Sequence, residues 1–291
     1  MYSSHAGDPY CKEQVSAFAE NLSITHRETI VNTTNPKSTQ TFSAPTTAAA
    51  KKWGSARIRQ SIGAIAWSIG FIILIISSVI VHSHSEPWPF DLQTTLYVQG
   101  LHIWGWVTAC LTFINVFNNG IPAAVELALW FVILLLLRQF RYALFIGLGS
   151  AAFDGLNGLL GNIVARPRPD PHLVHVSMAE PTYSFPSGHV EHCIVYYGIL
   201  LYISFTPPLR QWRYRWLLLP FQIFAILTIL CVGFARIEAG SHWITDVLAG
   251  YLSGVLLLTI LLILYRWASA RFAHHDVKKH NLTRSGKQRR A

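Results

Sequence analysis

The chain has 291 residues, of which 52% are hydrophobic and 13% charged, and its formal net charge is +9. A soluble domain carries about 25% charged residues, so the composition excludes an ordinary soluble protein and points to one living largely in a bilayer. Four cysteines, Cys11, Cys110, Cys193 and Cys231, lack metal-type spacing and imply neither a disulfide framework nor a zinc site.

In chain order, residues 1–55 are polar, rich in Ser, Thr, Asn and Ala, with no apolar run long enough for a signal-peptide core. Pro36, Pro45 and the Thr-rich stretch between them predict a disordered tail. From 56 to 270, apolar runs of the ~20 residues that a span needs fall at 60–82, 118–138, 142–164, 188–206, 216–236 and 243–266. They predict an all-α integral membrane protein, a bundle of six transmembrane helices. The stretch 91–116, with Trp104, Trp106, Phe113 and Phe117 among polar residues, reads either as an interfacial helix or as part of an extended second span. A basic tail over 271–291 follows.

Loop charge sets the orientation. Lys51, Lys52, Arg57 and Arg59 precede the first span; Arg138 and Arg141 follow the second; Arg210, Arg213 and Arg215 follow the fourth; Arg266, Arg271 and the basic tail follow the sixth. With six spans these lie on one side, which the positive-inside rule makes cytoplasmic, as it makes both termini. The acceptor-like Asn21-Leu-Ser and Asn32-Thr-Thr then face the cytosol and carry little weight. The basic tail reads as an anchor attracted to anionic lipid, not as a nucleic-acid site. The opposite side keeps only Arg166, Arg168 and Arg236.

Those arginines stand among residues suited to phosphate chemistry. Charge at a helix centre in lipid costs roughly 2.5–3.5 kcal/mol per residue, so such groups are functional suspects. His242 and Asp246 are four apart; on a helix beginning near His242 they share a face, and the carboxylate accepts one ring N–H while the other nitrogen stays free to attack. Gly250 and Gly254 continue that face and allow close packing into the bundle. In Phe185-Pro186-Ser187-Gly188-His189, Ser187 suits a helix N-cap, Gly188 lets backbone approach an anion, and His189 is placed to protonate a leaving oxygen. In Arg166-Pro167-Arg168-Pro169 the prolines hold the segment extended, and a guanidinium grips phosphate oxygens bidentately. Asp154, Glu126 and Glu191 suit hydrogen-bonded bundle packing, with Glu191 also able to pair with nearby arginines. His82 and His84 are only two potential ligands and do not make a metal site; His172 and His175 fall in the loop between the first two motifs.

In order and spacing the three motifs resemble the type 2 phosphatidic acid phosphatase superfamily, whose signature is Lys-x6-Arg-Pro, Pro-Ser-Gly-His and Ser-Arg-x5-His-x3-Asp. Here these fall on Arg168-Pro169, Pro186 to His189, and Arg236 to Asp246. The resemblance implies that His242 is a nucleophile forming a phosphohistidine, Asp246 its orienter and His189 the general acid. It implies that Arg168, Arg236, Ser187 and the Gly188 backbone cradle the phosphoryl oxygens, with no metal or other cofactor. The expected substrate is a lipid phosphate or polyprenyl diphosphate among membrane lipids, and the site is expected on the extracytoplasmic face of the plasma (inner) membrane. Two positions depart from the signature. Gly161 stands at the motif lysine, no lysine occurs between Lys52 and Lys278, and Ala235 replaces the serine. Arg166 is the nearest substitute phosphate ligand. A phosphotransferase using the same phosphohistidine, or a non-catalytic lipid-phosphate binder, are the alternatives.

Overall fold

Every regular element among the described residues is helical. The structure, a computed structural model, describes residues 47–84, 86–207 and 209–288; the predicted polar tail up to residue 46, with Asn21 and Asn32, lies outside them. The helices are α1 (Thr47–Ser83), α2 (Pro89–Gln99), α3 (Gly105–Phe117), α4 (Gly120–Leu136), α5 (Phe140–Val164), α6 (Gly188–Phe205), α7 (Leu219–Glu238) and α8 (Ile244–Gln288), with two short 3₁₀ turns between α6 and α7.

Among the described residues, four helices are long and apolar enough to cross a bilayer: Gln60–Ser83, Phe140–Val164, Arg215–Glu238 and Ile244–Phe272. The pair α3 and α4, bent by 71° at its junction, adds a fifth as a broken span. The ambiguous stretch 91–116 thus becomes two helices, α2 and the first limb of that broken pair. By length and composition α6 falls short of the other spans, because His189, Glu191 and His192 occupy its first two turns. It is instead the central helix: twelve of its eighteen residues are buried, and it packs on α5 and α7. The other helices turn apolar side chains outward, such as Ile65, Ile69, Ile72 and Ile76 of α1. Exposed apolar surface on that scale needs lipid against it, and the chain is an integral membrane protein.

Gly250 and Gly254 sit where α8 meets α6. A Cβ at Gly250 would lie 2.7 Å from the Ser187 carbonyl oxygen and 3.1 Å from Val190 Cβ, and one at Gly254 would lie 3.0 Å from Ile194 Cβ. The bare backbone lets α8 approach α6 closely just below Ser187 and His189. Trp67 of α1 donates to the Leu256 carbonyl of α8 at 3.1 Å.

The chain divides into a body, Gln60–Leu262, and a second unit formed by the residues flanking it. Taken by itself, the described part of the second unit comprises the outer turns of α1 and α8, where Arg271 lies 4.4 Å from the centre of the Trp267 ring.

Candidate active site

The C-terminal ends of α5 and α7 and the N-terminal ends of α6 and α8 meet at one end of the body. Ala165 closes α5 in the left-handed conformation, after which Pro167 and Pro169 keep the chain out of a helix. The segment from Arg166 to Ser187 is then tied across the helix ends. Ser177 donates to the Ala239 carbonyl at 3.0 Å, and Ser184 to that of Arg166 at 2.9 Å. The Ser241 hydroxyl donates to the Met178 carbonyl at 3.0 Å.

His242 lies in the turn before α8 and is only 1% exposed. Its Nδ1 is 2.8 Å from the Ser184 carbonyl oxygen, and its Nε2 is 3.1 Å from Arg168 Nη1. A carbonyl only accepts and a guanidinium only donates, so the proton resides on Nδ1 and Nε2 presents its lone pair. Burial, followed by the positive charges of Arg236 and Arg168, holds the imidazole well below its usual pKa of 6.5. A neutral ring whose Nε2 lone pair faces a guanidinium has the form of a candidate nucleophile.

Asp246 does not take the ring proton, as the i,i+4 spacing suggested. Its Oδ2 is 3.9 Å from His242 Nδ1, and accepts instead from the Ser184 hydroxyl and, at 2.9 Å, from the Trp243 N–H. The reason is local: α8 begins at Ile244, so His242 is not on its face and the carboxylate folds back to cap the turn. Asp246 therefore positions the ring through Ser184, whose carbonyl makes the direct bond.

Arg166 also departs from expectation. It is fully buried, 2.6 Å from Asp91 Oδ2 and 2.5 Å from Asp246 Oδ1, with another bond to Thr245 at 2.7 Å and the Trp88 ring 5.3 Å away. Two carboxylates take up both of its terminal nitrogens, so it holds Asp246 and is not a free phosphate ligand. Arg168 and Arg236 converge on Glu180 instead, at 2.7 and 2.5 Å. Burial pushes Arg168 down from its usual guanidinium pKa, and Glu180 pushes it back.

Ser187 is buried and precedes α6 without making the predicted cap bond. Its hydroxyl, His189 Nε2 and Arg236 Nε are buried without a protein hydrogen bond. Buried unpaired polar atoms are rare in native proteins, and three of them beside two guanidiniums suit an oxyanion. His189, Gly188, Arg168 and Glu180 line a cavity of about 930 Å³ that continues between α4 and α5 past Gly161, Asn157 and Asp154. Ligand atoms of Glu180, His189 and His242 lie within 4.8 Å of one another, but the arginines on Glu180 disfavour a cation there.

Other predicted residues fall elsewhere. Glu191 meets no arginine; it accepts from Asn157 and Ser253, both at 2.9 Å. Glu126 accepts from Tyr197 at 3.2 Å. His82 Nδ1 is 3.2 Å from the Val164 carbonyl oxygen, at the end of α5, and His172 and His175 are exposed. Sequence reasoning missed Glu180, Ser184 and Asp91. The available signal was charge balance: arginines placed beside apolar runs need acids nearby, and Asp91 and Glu180 are among the few acids between spans.

Gly240 sets the turn that delivers His242. Its φ is +66°, and a Cβ there would run into the His175 carbonyl. Gly240→Ala is expected to cost at least about 1–3 kcal/mol of stability, seen as a lower thermal midpoint of the detergent-purified protein.

Residues 140–270 match the PAP2 superfamily. Phosphatidylglycerophosphatase B of Bacillus subtilis (strain 168) is 33% identical over 109 residues, 36% of this chain and 49% of that protein; the chain thus spans about half the length of this curated relative. The crystal structure of the transmembrane PAP2-type phosphatidylglycerolphosphate phosphatase from Bacillus subtilis has a similar fold, with a TM-score of 0.55, 21% identity and coverage of 67% of this chain and 93% of that one. Aquifex aeolicus LpxE aligns with a TM-score of 0.42 and 20% identity over 61% of this chain and 97% of that one. The residues that match the PAP2 superfamily model hold all three motifs and the helix ends that present them, and over that region the chain is similar to the PAP2 superfamily.

Proposed function

We propose that this protein is a metal-independent lipid phosphatase working through a phosphohistidine at the extracytoplasmic face. The observation that carries this reading is His242 itself: buried, neutral, with its Nε2 lone pair against Arg168 and a second histidine across the same cradle. Nε2 attacks phosphorus in line, the N–P bond forms, and the bond to the lipid oxygen breaks. His189 gives its proton to that oxygen. Water then attacks phosphorus while the deprotonated His189 takes its proton, the N–P bond breaks, phosphate leaves, and both His242 and protonated His189 are regenerated. Arg168 and Arg236 stabilise the charge on the phosphoryl oxygens.

The membrane topology in this reading has six crossings, with α6 as the sixth, shielded from lipid by its neighbours. The polar ends of α5, α6, α7 and α8 then lie on the side opposite the basic loops at Arg138, Arg141, Arg210, Arg213 and Arg215, which supports an extracytoplasmic site. The substrate is a phosphate or diphosphate carried by a lipid, entering along the cavity between α4 and α5. The matched relative's name, a phosphatidylglycerophosphatase, places phosphatidylglycerol phosphate first in a test panel.

Phosphate release from lipid phosphates by detergent-purified protein, with chelator present, tests the reading; no release from any of them by folded protein would overturn it. The pH dependence is a second check. His242 must be neutral and its pKa lies well below 6.5, so the acid limb of kcat/KM is expected below that value. Burial and the charge of Arg236 hold His189 well below 6.5 as well, so the alkaline limb, loss of its proton, is expected on the acid side of neutrality and the bell is narrow. A profile from about pH 4 to 9 that is monotonic, with chemistry limiting the rate, would remove His189 as the acid.

A further inference from the structure

His242 and Arg236 are 1% and 0% exposed, and neither lines the cavity, whereas Glu180 does. The Glu180 carboxylate stands between the cavity and the nucleophile. One oxygen is 2.5 Å from Arg236 Nη2 and 3.8 Å from His189 Nδ1, and the other is 2.7 Å from Arg168 Nη2. The two arginines are those assigned above to the phosphoryl oxygens and His189 is the proposed acid, so the side chain occupies the place of the substrate's phosphate. Its backbone is fixed on both sides. Ser177 and Met178 are bonded to Ala239 and Ser241, and Thr182 and Tyr183 accept from Arg168 at 2.7–3.3 Å. Admission of a ligand therefore requires the Glu180 side chain to swing away from the arginines.

Building on the phosphatase reading, we propose that Glu180 is a specificity-determining residue, an internal anion that yields the arginine pair to a doubly charged phosphoryl group but not to a singly charged phosphodiester. The charge balance gives the reason. Two guanidiniums and one carboxylate leave the cradle with one net positive charge. A phosphomonoester, carrying about −1.5 to −2 at neutral pH, neutralises the pair and supplies three oxygens to Arg168, Arg236 and the free Ser187 hydroxyl. A phosphodiester brings a single charge, no gain over a carboxylate already tethered in place. Most lipids around the protein are phosphodiesters, so such a filter keeps the bulk membrane out of the site. Repelling the wrong ligand is as much a part of specificity as binding the right one.

The test compares the full-length protein with Glu180→Gln, which keeps shape and loses charge, and Glu180→Asp, which keeps charge. Binding of orthophosphate and of dimethyl phosphate to the purified proteins is measured by calorimetry, with a thermal melt confirming that each variant is folded. Wild type and the Asp variant are expected to favour orthophosphate strongly. In the Gln variant that preference is expected to fall by about tenfold or more, as dimethyl phosphate gains access. Phosphatidylglycerol added to mixed micelles is expected to inhibit hydrolysis by the Gln variant and not by wild type. An unchanged preference in folded Glu180→Gln, or equal loss of it in the Asp variant, would overturn the proposal. Because the soluble anions report binding alone, absent hydrolysis with the preference shift intact would refute the phosphatase reading and leave the filter standing.

Discussion

His242→Ala is expected to lower phosphate release by at least about 10³-fold while leaving the protein folded. The separation of the two effects follows from what the ring touches. Its short hydrogen bonds are with the Ser184 carbonyl and Arg168, with the Ser184 hydroxyl at a long 3.5 Å, and losing a typical bond costs only about 1 kcal/mol. Catalysis loses the atom that would bond to phosphorus, and no neighbour can replace it. His189 lies across the cradle beside Glu180, where the proposed mechanism has it meet the departing oxygen instead of attacking in line. Asp246→Asn is expected to behave differently, with a smaller kinetic loss of about 10–10², because Asp246 acts on the ring through Ser184 and not by a direct bond. The comparison needs single-turnover rates with labelled lipid phosphate and acid-labile label on the protein as the readout. Retention of labelled phosphoenzyme in His242→Ala would assign the nucleophile elsewhere.

The candidate site residues were legible because they violate their surroundings. Histidines, arginines and an aspartate beside apolar runs stand out, and the spacing from Arg236 to Asp246 survives folding as a helix end, a Gly240 turn and a new helix start. Helix positions were legible for the same reason that hydropathy works in lipid: an uninterrupted run must satisfy its backbone internally. Two kinds of fact were not. The path of the loop from Arg166 to Ser187 is fixed by bonds to Ala239, Ser241 and Arg168, all distant in sequence or set by tertiary contact, so neither Glu180 nor Ser184 announced its place. Partner choice was equally hidden. Asp246 and His242 have the spacing of a helical pair, yet the first turn of α8 starts two residues too late for them to meet, and Arg166 takes the carboxylate instead. The stretch 91–116 stayed open between two readings for a third reason. Its apolar content is split by Gly100 and the 71° bend after Phe117, so no single period describes it.

The buried Asp91–Arg166–Asp246 chain is where a single change is expected to cost the most stability. Arg166→Met would leave two carboxylates, both fully buried, without their shared counter-charge. Removing one partner of a buried ion pair typically costs about 3–5 kcal/mol, and here the two orphaned charges also repel each other. Asp91→Asn is expected to be milder, about 1.5–3 kcal/mol. It removes one charge-assisted partner from Arg166 but leaves the arginine neutralised by Asp246, and an amide can still accept from Thr245 as Asp91 does at 2.8 and 3.1 Å. The double variant should be less harmful than the sum, by about 1 kcal/mol or more, since a neutral amide at position 91 no longer needs the counter-charge that Arg166→Met removes. Thermal midpoints of the four purified proteins give the cycle. Additive losses would show that Arg166 and Asp91 act independently, and a mild Arg166→Met would show that the carboxylates find other partners. The same cycle reaches function through one bond. Asp246 loses an anchor when Arg166 is gone, Ser184 loses the carboxylate that holds its hydroxyl, and the carbonyl fixing His242 Nδ1 is freed to drift. Folded Arg166→Met protein should therefore lose kcat more than it raises KM, because the arginines proposed to bind phosphate are untouched while the proposed nucleophile is not.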